Sequence, residues 1–240
     1  MKTTSVPTSS AEFNQFRDTY SEGIEKSLSF SGQSHDFYIR IKSDYLLRQM
    51  APLFKPEAPL QVLDIGCGHG LSHGYLLEKA GTNIALFGID PAESVIEVAQ
   101  QNNPQVKYKA NDGNTIPFAD NSFDFVQAVC VMHHVPPEQW MHFMQEAKRV
   151  LKPGGKLLIF EHNPYNPLTL YIVKTCPLDE NAVLLNDRTL KHLYRDSGFS
   201  DIKQEFIIFF PIDKPLFRYL ENYLKFLPLG AQYVVHAQKD

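Results

Sequence analysis

Three groups of residues in this chain have the types and spacing to do chemistry. The first is Val62-Leu63-Asp64-Ile65-Gly66-Cys67-Gly68-His69-Gly70, an apolar β-type run carrying an acid and then glycines at alternate positions. Such glycines let a chain turn sharply and let a ligand lie on the backbone. No Gly-Lys-Ser/Thr follows, so this is not a phosphate-and-magnesium loop, and the third glycine comes one residue early for the dinucleotide pattern G-x-G-x-x-G. The second group is acidic. Asp90 ends the run Leu86-Phe87-Gly88-Ile89, and Asp112 stands in Asn111-Asp112-Gly113 after Val106-Lys107-Tyr108-Lys109. An acid at the first position can accept hydrogen bonds from both hydroxyls of a ribose, and one at the second can take a proton from an adenine amino group. Read singly, Asp90 can also be a helix cap and Asp112 a solvated turn residue. The third group is the histidines. His133 and His134 follow one apolar run and His162 follows another, where a neutral imidazole can take a proton from a reacting group or can simply fill the core. His69 and His73 lie four apart with Cys67 nearby, but no Glu follows His69 as in His-Glu-x-x-His, so no metal is expected.

These groups need a frame that brings strand ends together. The pattern predicts strands at 60–66, 83–89, 105–109, 123–131, 155–162, 201–209 and 231–238, with helices at 69–80, 91–102, 137–150 and 187–197. Such alternation predicts a doubly wound α/β fold, a mainly parallel sheet covered on both faces. The last two strands are separated by Pro211–Gly230 rather than by a short crossover, which predicts an antiparallel edge pair with a helical insertion. Before the sheet, residues 1–10 read as disordered, and 11–54 as two helices broken at Ser31-Gly32-Gln33-Ser34. The expected organisation is a helical cap at 1–55 and a ligand-binding domain at 56–240, with insertions at about 165–185 and 211–230.

Composition narrows the partners. At 240 residues the chain can bury a full core, and its net charge of −4 with no long basic run argues against nucleic acid. Three scattered cysteines point to a reducing compartment, no secretory signal is visible at the N-terminus, and no stretch is apolar enough for a membrane span. A cytoplasmic protein is expected, and nothing in the sequence sets its oligomeric state.

Taken in order, the glycine loop, Gly88-Ile89-Asp90, Asn111-Asp112-Gly113, Ile116-Pro117-Phe118, Asn121-Ser122-Phe123-Asp124, Met132-His133-His134-Val135 and Arg149-Val150-Leu151-Lys152-Pro153-Gly154-Gly155 resemble the class I S-adenosylmethionine-dependent methyltransferases. The likeness is greatest to their small-molecule group of the ubiquinone-biosynthesis type, and it spans about residues 58–163. It implies a Rossmann-like sheet of seven strands with an antiparallel last strand. It implies S-adenosylmethionine as cofactor and S-adenosylhomocysteine as product. By resemblance, Gly66 and Gly68 carry the methionine part, Asp64 orients the loop or meets the amino group, and Asp90 holds the ribose. Asp112 and Gly113 meet the adenine, Val129 lines the methionine pocket, and an aromatic from the N-terminal helices, Tyr20, closes over the cofactor. The chain departs from the family where Gly113-Asn114 replaces the usual Ala-Glu.

The activity implied is methyl transfer to an oxygen, nitrogen or carbon nucleophile of a small molecule, with His134 or His162 as the base if the acceptor is a hydroxyl. Tyr165, Tyr171, Phe210, Phe217 and Tyr223, in the two insertions, suggest an apolar or aromatic acceptor. Two alternatives remain at this point: a non-catalytic S-adenosylmethionine binder, and a nicotinamide oxidoreductase, which the glycine spacing and the Lys152–Gly155 turn oppose.

Overall fold

The computed structural model describes residues 27, 28 and 32–240. Tyr20, the stretch 1–10 and most of the first expected helix lie outside the described residues. The second expected helix is α1, His35–Met50, whose N-terminus is capped by the Ser34 hydroxyl accepting from the Phe37 amide.

Seven strands form one sheet: β1 Leu60–Ile65, β2 Ile84–Asp90, β3 Lys107–Ala110, β4 Phe123–Val129, β5 Leu151–His162, β6 Phe199–Ile207 and β7 Gln232–Lys239. Their order is β3-β2-β1-β4-β5-β7-β6, and β7 pairs antiparallel with both neighbours while the pairings among β1 to β5 are parallel. The antiparallel strand is therefore inserted inside the edge rather than added to it. Order reverses between β1 and β4, the crevice where doubly wound sheets hold ligands. The registers align the strand ends that matter. Ile65 lies beside Ile89 and Ala128, Val129 beside Phe160, and His162 beside Gln232.

Helices α2 His73–Ala80, α3 Glu93–Asn102, α4 Trp140–Val150, α5 Pro167–Thr175, α6 Asp187–Asp196 and α7 Pro215–Glu221 complete the described elements. Consecutive strand residues face opposite ways, so each strand feeds two layers. Leu63, Leu157 and Ile159 pack with Met144 and Ala147 of α4 and with Leu190 and Tyr194 of α6. Val62, Leu158 and Phe160 pack on the other side with Tyr45, Leu46 and Met50 of α1 and with Leu76 of α2. Helix α1 is thus part of the covering layer over the sheet, with the Tyr45 ring edge-on to Phe160 at 5.6 Å.

Among the boundaries that differ from the sequence expectation, two have a plain local cause. Helix α2 begins at His73, not at 69, because Gly66, Gly68 and Gly70 all have φ between +53° and +68° and cannot continue a right-handed helix. Strand β5 begins at Leu151, not at 155. Its register with β4 shifts between Phe123 and Phe125, so Lys152-Pro153-Gly154-Gly155 bulges, which accommodates a proline that cannot donate to the ladder.

Candidate active site

The glycine loop is held from both sides. The Gly66 and Cys67 amides donate to the Ile89 carbonyl at 2.8 and 3.0 Å, and the Gly68 amide donates to Asp90 Oδ2 at 3.1 Å. A Cβ on Gly66 would meet Val131 Cγ2 at 2.6 Å, and with φ at +68° the position admits only glycine without strain. Under the loop runs a buried polar chain. Asp64 Oδ2 pairs with His73 Nε2 at 2.9 Å, and His73 Nδ1 pairs with the Tyr108 hydroxyl at 2.6 Å. Both ring nitrogens of His73 are thus paired within the protein. Asp64 Oδ1 is buried with no hydrogen-bond partner in the protein. A buried acceptor left unpaired is costly, and it marks the place where a ligand's donor fits.

Asp90, 8% exposed, accepts from the Gly68 amide through Oδ2 and from the Ala92 amide at 2.9 Å through Oδ1. It therefore ties the glycine loop to the turn that leads into α3 while keeping lone pairs for a ligand. Burial pushes its carboxyl up to about 6 against the pull of those two N–H groups. Asp112 behaves differently. It is exposed, and its Oδ1 accepts from the Asn114 and Thr115 amides at 2.9 and 2.7 Å, which hold it below the usual carboxylate range. The residues it shapes, Asn111, Gly113 and Asn114, line the cavity described below, whereas Asp112 does not. Asn111 Oδ1 is a second buried acceptor without a partner.

On the far side of Val129 is a compact set of imidazoles and carboxylates. Glu161, fully buried, accepts from the Val131 and Met132 amides through Oε1 at 3.2 and 2.8 Å, and its Oε2 meets His133 Nδ1 at 2.6 Å. His133 Nε2 lies 3.4 Å from Asp179 Oδ1, and His134 Nε2 lies 3.5 Å from the same oxygen. The His133 ring centroid is 4.1 Å from that of His134 and 5.0 Å from that of His162. Burial disfavours charge on all three rings, but Glu161 and Asp179 outweigh it at His133, whose pKa rises to about 10. Burial and then that neighbouring charge push His134 down to about 3 and His162 to about 4. One imidazolium is held between two carboxylates, with two neutral rings beside it.

A cavity of about 330 Å³ joins these walls. One end is lined by Asp64, Gly66, Gly68, Asp90, Asn111 and Gly113, and the other by His133, His134, His162 and Asp179, with Val129 and Cys130 between. The second end is closed by His35, Tyr38, Ile39 and Lys42 of α1 and by Thr169 and Ile172 of α5. The five aromatic residues expected to frame an acceptor do not line it. Tyr165, Tyr171 and Tyr223 are exposed, and Phe210 and Phe217 pack on each other at 5.2 Å. The segment 211–230 contributes nothing to the cavity wall; among its ties is Asn163, which donates to the Pro228 and Gly230 carbonyls. Asp179, His35 and Lys42 were not anticipated from the sequence.

Residues 63–159 match the family model described as a methyltransferase domain, and the chain is 29% identical over 152 residues to an uncharacterized methyltransferase of Synechocystis, covering 60% of this chain and 68% of that one. Residues 63–159 form a methyltransferase domain of the class I S-adenosylmethionine-dependent kind, in the type 11 group. Its cofactor is S-adenosylmethionine, with S-adenosylhomocysteine as product. The methyltransferase is also 31% identical over 120 residues to the 27-O-demethylrifamycin SV methyltransferase of Amycolatopsis mediterranei, covering 48% of this chain and 43% of that enzyme. It thus spans less than half of some curated relatives. A methyltransferase structure from Thermotoga maritima shares the fold with a TM-score of 0.67 at 20% identity, over 97% of this chain and 100% of that one. The tRNA(Thr) (cytosine(32)-N(3))-methyltransferase of Saccharomyces cerevisiae is a relative too, 24% identical over 159 residues, covering 62% of this chain and 25% of that one. Family membership therefore does not carry the expected exclusion of nucleic acid. No described helix of this methyltransferase is long and apolar enough to cross a membrane.

Proposed function

We propose that this methyltransferase transfers the methyl group of S-adenosylmethionine to an oxygen, nitrogen or carbon nucleophile of a small molecule held at the imidazole end of the cavity. The observation that carries the reading is the single cavity whose two ends have different chemistry. One end offers glycine backbone and unpaired acceptors, and the other offers neutral imidazoles beside a charged one. The bound cofactor supplies a methyl group made electrophilic by its sulfonium, and the protein supplies orientation.

In this reading Asp90 takes the ribose hydroxyls, Asp64 Oδ1 takes the ammonium of the methionine part, and Gly66 and Gly68 lie against its chain, with Val129 beside it. Asn111 and Gly113 meet the adenine, and Asp112 acts by fixing their turn. Tyr20 keeps its proposed place as the aromatic that closes the site, within a helical cap at 1–55 over a domain at 56–240. His134 and His162 are the candidate bases, which position a hydroxyl acceptor and take its proton. A small acceptor suits a cavity of about 330 Å³ in a chain of net charge −4. The polar side chains of His35, Lys42 and Thr169 among Tyr38, Ile39 and Ile172 favour a molecule with both polar and apolar parts. Free cysteines at 67, 130 and 176 are in keeping with a reducing cytoplasm.

The test is release of S-adenosylhomocysteine from the full chain over a broad panel of small acceptors. With the best hydroxyl acceptor and saturating cofactor, His162→Ala is expected to lower turnover by about 100-fold. Cofactor binding without release across the panel would overturn methyl transfer in favour of a non-catalytic binder.

A further inference from the structure

The spacing of His133, His134 and Asp179 has a consequence beyond proton transfer. Asp179 Oδ1 stands 3.4 Å from His133 Nε2 and 3.5 Å from His134 Nε2. Those separations exceed the 2.7–3.2 Å of a normal N–H···O hydrogen bond. They equal the edge of a tetrahedron whose centre lies about 2.1 Å from each corner, roughly 3.4 Å, and 2.0–2.2 Å is the bond length of zinc to imidazole nitrogen and carboxylate oxygen. The candidate ligand atoms of the three residues all lie within 4.8 Å of one another, and among the described residues they form the group of histidine, cysteine and acid side chains with that property.

Two further features fit an ion. His133 Nδ1 is bonded to Glu161 Oε2 at 2.6 Å, which directs Nε2 toward Asp179 and His134; an ion bound there would take the place of the imidazolium's Nε2 proton. A carboxylate behind a histidine in this way fixes the ring and raises its basicity as a ligand. Glu161 is itself held by the Val131 and Met132 amides, so the whole unit is set before any ligand arrives. The chain connectivity also locks it, because the Val183 amide donates to the His133 carbonyl at 2.8 Å and anchors the segment that carries Asp179.

We propose that His133 Nε2, His134 Nε2 and Asp179 Oδ1 bind one divalent cation of the zinc class. All three residues line the cavity, which leaves the remaining coordination position to its contents. Two histidines, one carboxylate and an open position make the ligand set of a catalytic rather than a closed structural zinc site. The ion's binding stands apart from the identity of the cofactor. Its role rests on the methyltransferase reading: it would hold the acceptor through a hydroxyl or thiol and lower the pKa of that group. His134 then serves as a ligand, and His162, whose ring lies 5.0 Å from His133, is the imidazole that takes the proton.

The test is titration of the chelator-stripped full chain with zinc chloride and cobalt chloride, in parallel with calorimetric binding of S-adenosylhomocysteine. One equivalent of zinc is expected to bind, and cobalt is expected to give the intense visible bands of a four-coordinate site. His134→Ala and Asp179→Asn are each expected to weaken metal binding by at least about 100-fold, with S-adenosylhomocysteine affinity unchanged to show that the variants fold. Absence of saturable zinc binding and cobalt bands in the wild-type chain would overturn the site. So would equal binding by Asp179→Asn. Metal binding with no binding of S-adenosylhomocysteine would sustain the ion site and sink the functional reading instead.

Discussion

Asp90→Ala is expected to lose about 100-fold in affinity for S-adenosylmethionine while the chain stays folded. Two hydrogen bonds from ribose hydroxyls to a carboxylate, at the lower end of about 1.5–3 kcal/mol each, come to roughly 3 kcal/mol, and each 1.4 kcal/mol is a factor of ten. Folding is less affected because two changes oppose one another. The variant loses the acceptor for the Gly68 and Ala92 amides, and it also removes a desolvated carboxylate whose pKa burial has raised to about 6. The raised value fixes the sign of the pH dependence. Above pH 6 the group is ionised and accepts both hydroxyls, and as pH falls through about 6 it gains a proton and cofactor affinity declines. For the cofactor-free chain the sign is reversed. The folded state binds this proton more tightly than the unfolded state, so the stability it contributes is fully present below the ordinary Asp pKa of 3.8 and is lost as pH rises through about 6. Calorimetry of the variant, and of the wild type from pH 5 to 8, checks both statements. Unchanged affinity in Asp90→Ala would remove Asp90 from the ribose site.

The second large effect is on stability. Glu161→Ala is expected to destabilise the fold by about 3–5 kcal/mol, since it strips a buried imidazolium of its closest counter-charge. For a chain of this length that is a fall in Tm of roughly 10 °C. The loss also includes the acceptor of the Val131 and Met132 amides, which form the turn leaving β4. Glu161→Gln removes the same counter-charge but keeps an amide oxygen for those two donors, so it should lose less than Glu161→Ala by the share of the two hydrogen bonds. Thermal unfolding of the two variants separates the charge from the hydrogen bonds. A fall of only a degree or two in Glu161→Ala would mean that His133 is not held as a cation by Glu161.

What the sequence revealed about the site divides along one physical line. The shape of the glycine loop and the place of Asp90 beside it were legible because their geometry is local: a β-type run, positive-φ glycines and an acid at the next strand end follow from residues a few positions apart. The parallel core was legible for the same reason, in the runs Val62–Ile65 and Leu157–Phe160. Asp179 left no such signal. It reaches the histidines only because a short 3₁₀ turn at Pro177–Asp179 is laid across the end of β4 by a tertiary hydrogen bond from Val183. His35, Tyr38 and Lys42 likewise enter the site from α1, whose placement depends on packing Tyr45, Leu46 and Met50 under the sheet.

The differences follow the same line. An acid in an Asn-Asp-Gly turn can face a ligand or fold back on its own amides, and sequence does not distinguish the two; Asp112 folds back, leaving Asn111 and Gly113 at the cavity. Aromatic residues in an insertion can line a pocket or lie outside it, and here Tyr165, ahead of α5, and Tyr171, on its outer side, are exposed while Thr169 and Ile172 face in. Side-chain direction on a short helix follows the docking of that helix, which its own residues do not determine.

The most direct test of the central claim is a crystal structure of the full chain grown with S-adenosylhomocysteine. The expected result is density in the cavity with the ribose hydroxyls on Asp90, the amino group at Asp64 Oδ1, the adenine against Asn111 and Gly113, and the sulfur directed toward His134 and His162. Density for the ligand elsewhere on the molecule, or an occupied cavity with the ribose away from Asp90, would contradict the account.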